Sequence, residues 1–263
     1  MKPLTFDGTD HLRTATVDGT RWLDRLQLWQ PTEQDQLVTG EVETAVVLLR
    51  GTFDLFGGPT AWPARGARQT PFTGRPMAVF LPPRTTFRAE RGRGEILLVS
   101  ARQPVAAPAA DGRAGLGLKA LLPLAGSGKS FDPNSGEWRP AETFPSAPES
   151  LPPRRMERIA VGPVTVERVL APDYKAATLS IDEVVLSAGG SLRLAEVPGR
   201  PPSAEVLVFV RSEGTSQVIH AGLTTALAGD AAFWLPTPNG VIDLALAATG
   251  GRSYVLVAYA GKG

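Results

Sequence analysis

Short apolar runs broken by glycine and proline constrain this chain more than any other feature. From Leu37 onward the runs EVETAVVLLRGTFDLFGG, RPMAVFLPPRTTFRAE and GEILLVSARQP are β-branched or aromatic, too short for helices, and closed by turn residues. After Pro153 the same texture returns in ERIAVGPVTVERVLAP, ATLSIDEVVLSAGG, AEVLVFVRSEG, TSQVIHAG, AAFWLPTPNG, VIDLALAATGG and SYVLVAYAG. Strands at this spacing describe an antiparallel sandwich or barrel. The 28 glycines and 24 prolines act as its punctuation. Because the order of strands and turns in the second half echoes the first, we expect two β-domains of similar build. In the opening segment DGTRWLDRLQLWQPTE, Trp22, Leu26 and Trp29 fit a helical stripe while Leu26 and Leu28 fit a strand, and we read a strand.

Between Ala101 and Pro153 the texture changes. Nine prolines fall there with no sustained period, which reads as a long connector over a domain surface. Within it, LGLKALLPLAG suits a short helix stopped by Pro123. The expected organisation is therefore an N-terminal barrel over 1–103, a connector over 104–153 and a C-terminal barrel over 154–263.

Composition excludes several functions. The chain carries 27 Lys and Arg against 26 Asp and Glu. No overall field favours nucleic acid or an anionic membrane, so neither is expected as a partner. Without cysteine there is no disulfide, thiolate nucleophile or zinc-thiolate site. The start MKPLTFDGTD lacks the charged-then-apolar design of a secretory signal, and no apolar run reaches the roughly 18 residues of a membrane span. A cytoplasmic location is the expectation.

Several motifs have bland readings that outweigh the chemical ones. The run AGSGKSF at 125–131 ends like a phosphate-binding loop, but Pro123 stands where the leading glycine belongs, so a polar turn is expected. His11 and His220 are the two histidines, and neither sits in a nucleophile elbow. We read His220 as a strand-end residue bonded locally or in water and His11 as solvated. Two imidazoles cannot build a three-histidine metal site within one chain. Glu41 and Glu43, two apart on a strand, would face one side as a carboxylate pair, and a solvated strand entry is the commoner outcome. Arg65, Arg68, Arg75, Arg84 and Arg88 form a basic run; arginines at a barrel mouth can clamp a carboxylate, and solvated positions are the commoner outcome.

From Gly189 to Gly214 the run GGSLRLAEVPGRPPSAEVLVFVRSEG has the outline of a metal-binding barrel motif with other residues in the imidazole positions. Together with TGE before an apolar strand ending at Gly51, the pattern Gly66, Arg68, Pro71, Phe72, and AVFLPP at 78–83, it resembles the 5-deoxy-glucuronate isomerase family, bicupin enzymes of inositol catabolism. SIDEVVLSAGGS, SQVIH and GDAAFWLPTPNG carry the likeness into the second half. The resemblance implies an all-β chain of two cupin barrels of jelly-roll type.

It also implies a divalent metal in the C-terminal cupin that polarises a sugar carbonyl during aldose–ketose isomerisation. Two histidines after the Gly-Gly turn, a glutamate on the next strand and a histidine after the proline turn would hold it. Here the first two positions fall on Glu196 and Pro198, or on Pro198 and Arg200. Glu205 matches the glutamate, and the last histidine falls on Gly240 or Val241. In the first barrel Phe87 stands where a cupin often places its last histidine.

The expectation is thus a metal-free, cofactor-free bicupin that binds a small ligand such as a sugar acid, or a partner, and pairs as a homodimer through its sheets. Arg193, Arg200, Glu205 and Arg68 are the candidate ligand-binding residues. The alternative is a metal-independent uronate isomerase in which Glu196 and Glu205 move the proton and Arg193 or Arg200 holds the carboxylate.

Overall fold

The computed structural model describes residues 1–33, 35–103, 129–132, 137–140, 149–151, 157–171, 176, 178–237 and 240–261. The LGLKALLPLAG segment at 116–126 and the start of AGSGKSF lie outside them. Lys129–Asp132 forms a strand paired with Glu137–Pro140.

Among the described residues, two nine-stranded antiparallel sheets stand beside that two-stranded one. Along the first, the order is Glu149–Leu151, Ala78–Leu81, Val42–Gly57, Thr86–Arg102, Leu23–Trp29, Leu12–Thr16 and Asp7–Gly8. Along the second it is Lys2–Leu4, Leu223–Pro236, Glu205–His220, Ser253–Ala260, Leu179–Leu186, Val164–Leu170 and Glu157–Val161. These orders match strand for strand, so the echo in the sequence is a repeated topology. Leu23–Trp29 is a strand, which settles the reading of Trp22, Leu26 and Trp29.

One strand is exchanged in each direction. Lys2–Leu4 pairs with Ala232–Trp234 of the second sheet, while Glu149–Leu151 pairs with Ala78–Phe80 of the first. The first residues of the chain therefore complete the second sheet, and part of the connector completes the first. Edge strands left bare would offer unpaired amides to other chains, and each exchange covers one.

Burial explains why the central strands read as continuous apolar runs. Val206, Val208 and Val210 point into the second barrel, while Leu207 and Phe209, alternating with them, point to a core shared with the first barrel. Val46 and Leu48 likewise fill the first barrel, and Ala45, Val47 and Leu49 join the shared core. A strand packed on both faces is mostly apolar, and the polar side chains it does carry need buried partners.

Glu41 and Glu43 do not pair as the spacing suggested. Gly40, at φ +66°, turns the chain so that Glu41 precedes the strand and bonds Arg84 at 2.9 Å in solvent, whereas Glu43 is fully buried.

Candidate functional site

The second barrel is where the motif places its chemistry, and its inward positions are mostly apolar. Leu192, Leu194 and Val197 from the segment after the Gly-Gly turn meet Val206, Val208, Phe233, Leu235, Ile242 and Val257 in one cluster. The turn itself forms as expected, with Gly189 at φ +77° and Gly190 N–H donating to Ser187 O at 2.8 Å.

Of the positions the motif assigns to ligands, none faces inward with a metal donor. Glu196 and Pro198 are exposed and Arg200 is half-buried; Val241 is 67% exposed. Arg200 Nη1 donates to Gly240 O at 3.2 Å, and Arg168 Nη2 donates to Pro198 O at 3.1 Å, so both loops that would carry histidines are fixed by arginines. Among the described residues no three His, Cys, Asp or Glu side chains converge as a metal cage. These residues do not fit the metal that the resemblance implies.

What polar chemistry the barrel has is at one pole. Arg168 Nε donates to Asp182 Oδ1 at 3.0 Å with both side chains buried, and Tyr259 is 1% exposed beside them. Burial raises the Asp182 carboxyl above its ordinary range against the pull of Arg168. It also raises the Tyr259 phenol, with the Asp182 charge adding to the effect.

Glu205 has a different place from the one the motif suggests. Being next to inward-facing Val206, it faces the other way, into the seam between barrels, where it accepts backbone N–H groups of Arg21, Trp22 and Leu23 at 2.6, 3.0 and 2.8 Å. Glu43 answers it from the first barrel, accepting from Thr178 N–H, Thr178 Oγ1 and Leu179 N–H at 2.9, 2.6 and 2.7 Å. Glu196 and Arg193 are exposed, so Glu196 and Glu205 do not share a pocket and the proton-shuttle arrangement is not formed. Sequence spacing alone missed this role, because a carboxylate capping amides of another domain has no local signal.

Arg68 also lies in the seam. Nη1 and Nη2 reach Glu183 at 3.2 and 2.7 Å, Nη2 donates to Pro71 O at 2.6 Å and Nε to Thr73 O at 3.2 Å, and Tyr254 Oη donates to Glu183 at 2.9 Å. With four of its five N–H donors engaged, it holds the barrels together. Burial raises the Glu183 carboxyl even with Arg68 beside it. Further along, Arg211 binds Glu95 of the first barrel at 3.0 Å and Asp230 at 2.6 and 2.8 Å, and Arg13 reaches Asp230 at 2.8 Å.

The other sequence candidates are dispersed. Arg84 pairs with Glu41, Arg88 with Glu90, and Arg75 is exposed. His220 Nδ1 contacts Asp243 O at 2.7 Å, on the segment that enters the neighbouring strand Leu244–Ala248. Phe87 is fully buried against Trp29, ring centroids 5.9 Å apart.

Open space lies outside the barrels. A hollow of about 600 Å³ runs between them, past Arg68, Arg158, Glu167, Glu183 and Gly189–Gly190. A second, of about 700 Å³, opens beside His11, Arg50 and Arg93 on the first barrel.

Residues 19–114 match the KduI/IolB family model. This is the isomerase family the sequence resembles, and the likeness stands on the first barrel. No curated relative matches the chain. Among solved structures, an IolB-like protein from Salmonella typhimurium LT2 superposes with a TM-score of 0.64 at 17% identity, over 92% of this chain and 85% of that one. AerE from Microcystis aeruginosa gives 0.59 at 10%, over 99% and 98%. The oxalate decarboxylase of Lactobacillus farciminis, solved as a formate complex, gives 0.56 at 12%, over 97% and 83%. At these identities the likeness is one of fold. The two-barrel fold is therefore a property of this chain, and the first barrel is similar to the KduI/IolB family.

Proposed function

We propose that this chain is a metal-free cytoplasmic bicupin that works by binding a small ligand, a sugar acid or similar molecule, outside its barrels. Isomerisation is not its activity on this reading. One observation carries it: the inward face of the second barrel presents Leu194, Val206, Val208 and Phe233 where a metal cage needs nitrogen and oxygen donors. A cavity that can hold neither metal nor sugar leaves the external hollows as places for a ligand.

Elemental analysis and turnover test the reading on one preparation purified without chelator. We expect substoichiometric transition metal and no conversion of 5-deoxy-glucuronate or other uronates with zinc, manganese or iron added. Near-stoichiometric metal, or metal-dependent turnover, overturns it.

A further inference from the structure

We propose that the hollow beside His11, Arg50 and Arg93 is a binding site for a small ligand bearing a carboxylate or phosphate. At about 700 Å³ it has the size of a small-molecule pocket. Its described lining includes three arginines and a histidine but no aspartate or glutamate, in a chain whose charges otherwise balance at 27 to 26.

Strand register fixes Arg50 and Arg93 together. Arg50 lies opposite Glu95 and Thr52 opposite Arg93 across the Val42–Gly57 and Thr86–Arg102 strands, so Arg50 and Arg93 are diagonal neighbours on one sheet face. Between them Gly51 faces Gly94. A Cβ on Gly51 would meet Arg93 O at 1.9 Å, and one on Gly94 would meet Arg50 O at 2.1 Å, so the close crossing that sets this spacing requires glycine at both. Like charges so placed repel unless an anion lies between them.

The counter-charge on hand is committed elsewhere. Glu95 accepts from Arg211 of the other barrel at 3.0 Å, and Arg50 Nε stays 3.9 Å from it and half-exposed. Arg93 makes no ion pair or side-chain hydrogen bond among the described residues. Arg84, Arg158 and Arg252, also solvent-facing, are each matched by a carboxylate at 2.9 Å or less. Arg68 lines the hollow too, but its guanidinium is held by Glu183. Guanidinium pairs bind carboxylate and phosphate oxygens in matching planar forks, and Thr52, Gln30 and Gln69 offer hydrogen bonds to hydroxyls of the same ligand. The inference rests on the reading that the ligand is held outside the filled barrels.

Calorimetric titration of the full chain with inorganic phosphate, glucuronate and glucose tests it. Wild type should bind one equivalent of phosphate or glucuronate, more weakly as salt is added, and should not bind glucose; which anion binds tighter identifies the headgroup. Arg50→Gln/Arg93→Gln should weaken anion binding at least about tenfold, while Arg84→Gln/Arg252→Gln, an equal loss of charge elsewhere, should not. The site is overturned if wild type prefers neither anion to glucose, if the Arg50/Arg93 variant binds like wild type, or if both double variants lose binding equally. Metal content and turnover of the same protein test the functional reading separately: an anion bound at Arg50 and Arg93 in a metal-loaded isomerase keeps the site and refutes that reading.

Discussion

Glu205 and Glu43 illustrate how much of a residue's role is decided by which way its strand faces. Each caps a turn of the opposite barrel through two backbone amides or more, so removing either leaves buried N–H donors with no acceptor. We expect Glu205→Ala to lower stability by about 3 kcal/mol, measured by urea unfolding, and Glu43→Ala to do the same. A neutral effect of Glu205→Ala would mean that the carboxylate faces solvent. Asp230 adds a pH dependence. Burial alone would raise its carboxyl, but Arg211 and Arg13 hold it below the usual 3.8. A folded-state value below the unfolded one means stability that is present above pH about 4 and is lost as pH falls through the lowered value. Thermal melts between pH 2 and 6 should show that loss in wild type and a shallower one in Asp230→Asn.

At the scale of elements, the exchanged strands and the glycine crossing are the parts most exposed to change. Lys2–Leu4 covers the Ala232–Trp234 edge of the second sheet. Deleting residues 1–5 should uncover that edge and produce concentration-dependent association in light scattering, with a lowered melting temperature; an unchanged monodisperse profile would show that the edge is protected some other way. Gly51 has φ +92° and no room for a Cβ. Gly51→Ala should cost roughly 3 kcal/mol by forcing the two strands apart, read as a shifted denaturation midpoint at constant slope.

Across the whole molecule the two barrels share one core. Leu26, Val47 and Phe80 of the first pack with Leu207, Phe209 and Leu256 of the second, and the buried Arg68–Glu183 pair crosses the same seam. A single cooperative transition is expected in calorimetry, with equal van't Hoff and calorimetric enthalpies. Arg68→Ala should cost about 4 kcal/mol because it strands the Glu183 charge. Arg68→Met/Glu183→Leu should cost less than Arg68→Ala, since no unpaired charge is left behind.

Local chemistry made the strands, their turns, the repeated order and the KduI/IolB likeness legible in the sequence, because alternation, glycine turns and short apolar runs act within a few residues. That reach also revealed that imidazoles were missing from the Gly189–Gly214 motif. Which side of a strand Glu205 faces, where Glu43 and Arg68 find partners, and the meeting of Arg50 with Arg93 depend on register between segments up to 184 residues apart. Tertiary structure alone decided these, because a carboxylate or guanidinium takes whatever partner the packed fold brings within 3 Å or so, and the linear order of residues carries no record of that distance.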